Sequence, residues 1–372
     1  MDKQNQFFPQ VVFHPGETLK EKLEEMGMGP KEFAFRTGKP EKTITAILKS
    51  GSSITADMAV QFESVTKIPA HFWLNAQRGY DEFIAREKRM KVIESAIEWA
   101  KEFPVSQMIR LGWLDKSSTK QEMVAQLLSF FGVATSNAWE NYYYNQQLKV
   151  AFRISLKHTR EPLAISAWLR KGELSAQQIS AAPYSEKGFR ESLPAIKSLM
   201  AAHPEDFFEK LQKICLASGV KVIYTPFLSK APINGATRWI NNTPVIQVTG
   251  RGKRNDKFWF SFFHEAGHIL LHGKKDIFLE QIDYRDKDEE KETEADEFAV
   301  KWTFSEEEEA AFNEKIHSTE QELIEYAQKI NTHPAMIIGR LQFQKKIPYS
   351  FGQRFFVPID LSAKCEVFKP QP

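Results

Sequence analysis

Residues 258–271 read Phe258-Trp259-Phe260-Ser261-Phe262-Phe263-His264-Glu265-Ala266-Gly267-His268-Ile269-Leu270-Leu271, followed by His272 and Gly273. The pattern predicts a helix stopped by Gly273. Aromatic residues before the histidines and aliphatic ones after them leave little polar surface, so most of this helix is expected to be buried. Histidines on a buried helix need partners, because an imidazole taken out of water without one is costly. On a helix, positions four apart lie about 40° apart around the axis. His264 and His268 can therefore bind one ion from one face. Glu265 sits about 100° away, beside such an ion, where a base that takes a proton from water belongs. Zinc suits two imidazoles with an open position for water. Alone, the five-residue pattern H-E-x-x-H arises in on the order of one chain in a hundred of this length. Its apolar setting gives it weight.

A third ligand is expected from a second helix. In Lys291-Glu292-Thr293-Glu294-Ala295-Asp296-Glu297-Phe298-Ala299, the residues Glu292, Ala295, Asp296 and Ala299 share a face, and the two alanines permit close approach. Glu292 is the expected ligand. Asp296, one turn on, would orient a ligating histidine through its other ring nitrogen. Glu294 lies about 200° from Glu292 and should face away, and it is the alternative ligand. His272 is expected to cap the last turn of the first helix. From Arg285 to Glu309, twelve acidic and four basic residues give a local balance of −8, read mainly as a solvated helix face.

Around this pair of helices the chain divides into three. At roughly 150 residues per domain, its 372 residues call for two or three domains. The expected boundaries are 1–92, 93–215 and 216–372. The third part is α+β: Val220 to Thr225, Gly235 to Ile240 and Thr243 to Thr249 read as strands, the last two joined at Asn241-Asn242 as a hairpin. The middle part is helix-rich, with a strand over Leu148 to Ile154 and a helix from Pro162 to Gly172. Composition, 42% hydrophobic and 26% charged, is that of a soluble globular protein. The densest apolar run, six residues from Phe258 to Phe263, is far short of the roughly 20 a membrane span needs. No secretory signal pattern opens the chain. Cys215 and Cys365 cannot build a disulfide framework, which fits a reducing, cytoplasmic setting. A net charge of +2 specifies no partner, so any nucleic-acid signal must be local.

Such a signal lies near the start. His14-Pro15-Gly16-Glu17 opens a helix with Leu19, Leu23 and Met26 on one face, Pro30 to Thr37 forms a second, Gly38 breaks it, and Glu41 to Lys49 forms a third. Ile44, Ile47 and Leu48 anchor the third helix, whose other face carries Lys42, Thr43, Thr45 and Lys49. Between Met28 and Gly51 five basic and two acidic residues give a local +3. This is the pattern of a recognition helix that meets base edges in a major groove while nearby cations meet phosphates. A generic helical bundle with scattered lysines is the plainer alternative. A weak monomer patch favours a homodimer on paired half-sites.

Two resemblances add to this reading. Residues 13 to 84 resemble the HigA-type antitoxin branch of the XRE/Cro helix-turn-helix family. The stretches that carry it are His14 to Leu19, Lys42 to Leu48, Ile54-Thr55-Ala56-Asp57-Met58-Ala59 and Phe72-Trp73-Leu74-Asn75-Ala76-Gln77. Base-contacting roles at Lys42, Thr43 and Thr45 follow from that resemblance, although Pro40 stands where the family usually has a capping Ser or Thr. Trp239 to Ala299 resembles the ImmA/IrrE zinc metallo-endopeptidases, through Phe258-Trp259-Phe260, His264 to His268, Leu270-Leu271-His272 and Glu292-x-Glu294-Ala295-Asp296-x-Phe298-Ala299. Ile337 to Gln342 also matches, whereas Thr303-Phe304-Ser305 departs from the usual Leu-Met-Pro. That resemblance implies a minimal gluzincin-like fold and the cleavage of helix-turn-helix repressors.

The expected fold is multidomain and mainly α, with an α+β C-terminal part. The expected activity is zinc-dependent peptide hydrolysis, with His264, His268 and Glu292 on the metal, Asp296 behind them and Glu265 as base. The expected partners are operator DNA and a protein substrate, either a helix-turn-helix repressor or a cognate toxin, or the chain itself; no membrane is expected. The alternative is an antitoxin-like DNA-binding repressor whose metal site is structural or idle. The substrate is expected to add as a strand to the edge formed by Gly235 to Ile240 or Thr243 to Val248, with Tyr224, Tyr284 or His333 as oxyanion partner. Trp139-Glu140-Asn141-Tyr142-Tyr143-Tyr144 could stack on single-stranded nucleic acid, though ordinary helix packing is the plainer expectation. The basic stretch Gly250 to Lys257 is read mainly as a solvated loop.

Overall fold

The computed structural model describes residues 12–143, 162–231, 233–249, 254–273, 278–279, 289–314, 319–359 and 361. The strand expected at Leu148 to Ile154 lies outside them, as do Tyr144 and Tyr284. The chain divides into two compact units, Met1–Ser95 and Ala96–Pro372.

In the first unit, α1 (Pro15–Glu25), α2 (Pro30–Thr37), α3 (Glu41–Leu48), α4 (Ala56–Thr66) and α5 (Ala70–Ser95) surround a core of Leu19, Leu23, Phe33, Ile44, Ile47, Phe62 and Trp73. The Gly16 N–H donates to His14 Nδ1 at 3.0 Å, which caps α1, and Pro15 needs no N–H partner in the first turn. Gly16 must be glycine, since a Cβ there would lie 1.9 Å from the Ile47 carbonyl oxygen of α3. Gly38 ends α2 at φ 65°. Pro40 starts α3 without a side-chain cap, and its carbonyl accepts the N–H groups of Thr43 and Ile44 instead.

The second unit opens with α6 (Ile97–Lys101), α7 (Val105–Arg110), α8 (Lys120–Phe131), α9 (Ser136–Trp139), α10 (Pro162–Gln177), α11 (Glu186–Ala202) and α12 (Phe207–Ala217). Trp99, Phe103, Phe131, Trp139 and Tyr143 form one cluster of rings, most pairs tilted or edge-to-face and Trp139–Tyr143 stacked. Trp139 and Tyr143 are therefore inside the fold, and the Tyr143 hydroxyl donates to the Phe131 carbonyl. Of the candidate stacking residues that are described, only Tyr142 is exposed. The helix expected to stop at Gly172 runs on to Gln177. Gly172 is a packing glycine, where a Cβ would strike the Gln247 side chain 2.0 Å away.

The four-stranded sheet has the order β1-β3-β2-β4, with β1 (Lys221–Tyr224), β2 (Gly235–Ile240), β3 (Thr243–Val248) and β4 (Phe278–Leu279). β1 runs parallel to β3, β2 runs antiparallel to it, and Asn241-Asn242 at φ 49° and 65° make the tight turn expected between β2 and β3. One face of the sheet carries Ile223 and Val245 against Ala176 of α10. The other carries Val222, Tyr224, Ile246 and Val248 into a core with Phe189, Leu193, Leu211 and Cys215 of α11 and α12. The boundary expected at 215/216 thus falls inside one core, since the helices before it cover the sheet after it.

The remaining elements are α13 (Asn255–Leu271), α14 (Glu289–Thr303), α15 (Glu306–Glu314), α16 (Glu320–Lys329) and α17 (Pro334–Phe343). α13 starts three residues before the expected Phe258: Asn255 and Asp256 are buried in its first turn, and Arg254 pairs with Asp256 at 2.7 Å. The acidic stretch is not all solvated, because Glu309 is buried and held by Arg340 and Lys346, each at 2.5 Å. No helix of the described residues is long and apolar enough to cross a membrane.

Two histidines lock α13 to its surroundings. The Trp259 indole donates to His203 Nδ1 at 3.0 Å, and His333 caps α17 by accepting the Ala335 N–H at 3.1 Å. Burial, helped by the neighbouring His333, pushes His203 down to about 4, and burial lowers His333 as well. Both are neutral when folded, whereas the unfolded chain takes up these protons near pH 6.5. Between that value and about 4 the unfolded state binds more protons, so stability falls as pH falls. Denaturant midpoints measured from pH 7 to 4.5 should decline across this window, and His203→Gln should flatten the decline.

Candidate metal centre and the exposed side of α3

α13 and α14 meet at small residues. Ala295 and Ala299 are fully buried, and a Cβ on Gly267 would lie 3.2 Å from Phe298 Cβ and 3.3 Å from Ala295 Cα. This close approach brings one carboxylate of α14 to the two histidines of α13. His264 Nε2 and His268 Nε2 are 3.0 Å apart. Glu292 Oε2 lies 3.5 Å from the first and Oε1 lies 3.6 Å from the second. One donor atom from each of the three residues falls within 4.8 Å of the others, and all three side chains are buried. Ligands about 2.0–2.1 Å from a tetrahedral ion stand about 3.3 Å from one another. Two imidazoles and a carboxylate at these separations fit a zinc-type divalent cation.

Behind His264, Asp296 Oδ1 lies 2.8 Å from Nδ1. A carboxylate only accepts, so Nδ1 carries the hydrogen and Nε2 presents its lone pair to the Glu292 side. The alternative ligand, Glu294, does not join the converging group. Its side chain is half exposed and its Oε2 lies 2.8 Å from His272 Nε2. The expected cap at His272 is made by its backbone alone, whose N–H donates to the His268 carbonyl. Its ring turns back, with Nδ1 2.9 Å from His268 Nδ1.

Glu265 is fully buried against the first residue of β2. A Cβ on Gly235 would fall 2.5 Å from Glu265 Oε1, so the glycine makes the space this carboxylate occupies. Two residues along, Thr237 Oγ1 donates to the Glu265 carbonyl at 3.0 Å and pins the helix to the strand. Sequence reasoning missed Gly235, for its only signal was a glycine at the mouth of a strand. It also placed the open edge wrongly. β3 is internal to the sheet, and β4 pairs with β2 at Ala236↔Leu279 and Thr237↔Phe278. Of the possible oxyanion partners, Tyr224 is buried in the core and His333 caps α17.

In the first unit, α3 buries Ile44 and Ile47 and leaves Lys42 and Lys49 exposed, with Thr43 and Thr45 half-buried between them. Arg36 is paired with Glu32 and Lys39 with Asp57, whereas among the described residues no ion pair engages Lys42 or Lys49.

Residues 215–341 match the family model of the IrrE N-terminal-like domain. This IrrE-like domain, of the peptidase M78 group, spans the end of α12, the sheet, and α13 through most of α17, and so contains the whole His-His-Glu cluster. The N-terminal part is similar to an addiction-module antidote protein of the HigA family from Coxiella burnetii, at 37% identity over 23% of this chain and 95% of that one, with a TM-score of 0.22. It is also similar to the Pseudomonas aeruginosa antitoxin HigA with the higBA promoter, at 31% identity over 23% and 94%, with a TM-score of 0.22. No curated protein matches the chain.

Loss of the carboxylate behind His264 should loosen the site without dismantling it. Asp296→Ala is expected to weaken zinc binding by about 10–100-fold, measured by competition with a chromophoric chelator, while His268→Ala should weaken it far more.

Proposed function

We propose that this chain is a zinc-dependent endopeptidase joined to a helix-turn-helix DNA-binding module, and that it controls gene expression by cutting a protein partner. The observation that carries this reading is the convergence of His264, His268 and Glu292 on one point inside the IrrE-like domain, with the buried Glu265 beside them. His264, His268 and Glu292 would hold the ion. The chemistry zinc supplies when bound is Lewis acidity toward a substrate carbonyl and toward water.

The chain's own residues do the rest. Asp296 holds the hydrogen on His264 Nδ1 and so fixes that ring as a donor of its Nε2 lone pair. Glu265, one residue after His264, takes the proton of the attacking water and returns it to the leaving amine. Gly235 and Thr237 set the depth at which that carboxylate lies. Low dielectric around Glu265 raises the worth of each charge it meets, since water no longer screens them.

The substrate favoured by this pairing of modules is a helix-turn-helix repressor, a cognate toxin or another copy of the chain. α3 supports the DNA-binding half: Lys42, Thr45 and Lys49 lie on the side away from the buried Ile44 and Ile47, with Thr43 at its margin, and the two lysines are exposed. Reading paired half-sites calls for a homodimer, in the reducing cytoplasm where such regulators meet DNA.

Glu265→Gln should slow cleavage of the partner by about 100-fold or more, with zinc content unchanged, and Gly235→Ala should do the same by displacing that carboxylate. Unchanged cleavage in Glu265→Gln would leave the second reading, an antitoxin-like repressor with an idle metal site. For DNA, full-length protein carrying Lys42→Ala and Lys49→Ala should bind a fragment of its own promoter region more weakly. Its plot of log affinity against log salt should flatten by about one unit per lost phosphate contact. An identical slope in the variant would remove these lysines from the interface.

A further inference from the structure

We infer that His272 and Glu294 form a positioning relay that holds His268 in the ring orientation and tautomer a metal ligand needs, an inference that rests on the metallopeptidase reading above. His264 has its own orienting group in Asp296. At Nδ1 His268 meets another imidazole, His272 Nδ1, at 2.9 Å. Two ring nitrogens can share a hydrogen bond only if one bears the hydrogen.

Glu294 decides which one does. Its Oε2 lies 2.8 Å from His272 Nε2, and a carboxylate has no hydrogen to give. His272 therefore carries its hydrogen on Nε2, and in the neutral ring Nδ1 is left as an acceptor. His268 must then donate from Nδ1. Its Nε2 is bare and faces His264 Nε2 at 3.0 Å and Glu292 Oε1 at 3.6 Å. Two carboxylates of α14 thus act on the two ligating rings, Asp296 directly and Glu294 through one intervening imidazole. The geometry suits positioning better than helix capping, because both nitrogens of the His272 ring are engaged away from the helix-end carbonyls. His272 is almost wholly buried in that pose, at 3% side-chain exposure, so the ring has little freedom to turn elsewhere.

The test measures zinc affinity of the full-length protein by chelator competition, alongside the visible absorption of the cobalt-substituted form. His272→Phe keeps the bulk and removes the acceptor; it should weaken zinc binding by about 10–100-fold and shift the cobalt bands. His272→Asn, whose amide oxygen can accept from His268 Nδ1, should recover part of the loss. Glu294→Leu, at a half-exposed position, should weaken binding several-fold, and Glu294→Gln less. His268→Ala serves as reference. If it loses zinc while both His272→Phe and Glu294→Leu bind as wild type, the relay is overturned and the metal centre stands. Should His272→Phe fail to fold, wild-type affinity in Glu294→Leu alone overturns the relay. If His268→Ala itself binds zinc as tightly as wild type, both the relay and the metal centre fall.

Discussion

Three electron-rich groups are held 3.0 to 3.6 Å apart in the interior of this protein, two imidazole nitrogens and a carboxylate. Without a cation among them they repel, and none can turn to bulk water for relief. The arrangement survives folding because other parts of the same helix dictate where it lies. Trp259, Phe262 and Phe263 of α13 are fully buried. Each such ring contributes about 1.5–3 kcal/mol on burial, enough together to fix the helix whatever the histidines prefer. The core sets the position, and the chemistry inherits it.

The sheet then fixes α13 from the other side. Thr237 of β2 grips the Glu265 carbonyl, and Gly235 leaves room for the carboxylate. Helices α11 and α12 cover the same sheet face, so the segment that looks like a connector in the sequence belongs to the scaffold of the site.

What the sequence could disclose was local. A four-residue histidine spacing, a pair of alanines and an Asp one turn beyond a Glu are all periodic within a helix, and each lands where periodicity puts it. The helix-turn-helix was legible for the same reason, down to Gly38 at φ 65°. What stayed hidden depends on contacts between segments distant in the chain. Gly172 looked like a helix stop because its partner, Gln247, lies far along the chain. Glu294 was rightly turned away from the histidine pair, but nothing in the spacing of α14 revealed that it would meet His272 instead. Of the aromatic run at residues 139–143, Trp139 and Tyr143 pack into the fold's own core against Phe131, a contact no local pattern discloses.

The signature on α13 is written with two blank positions, as though any residue would serve there. Ala266 and Gly267 are not blank in this protein. Ala266 is fully buried, and Gly267 faces Ala295 and Phe298 so closely that even a methyl group would press on α14. Any larger side chain would wedge the two helices apart and carry Glu292 away from the imidazoles. Substitution at the unnamed letters of the motif is therefore bounded by steric room.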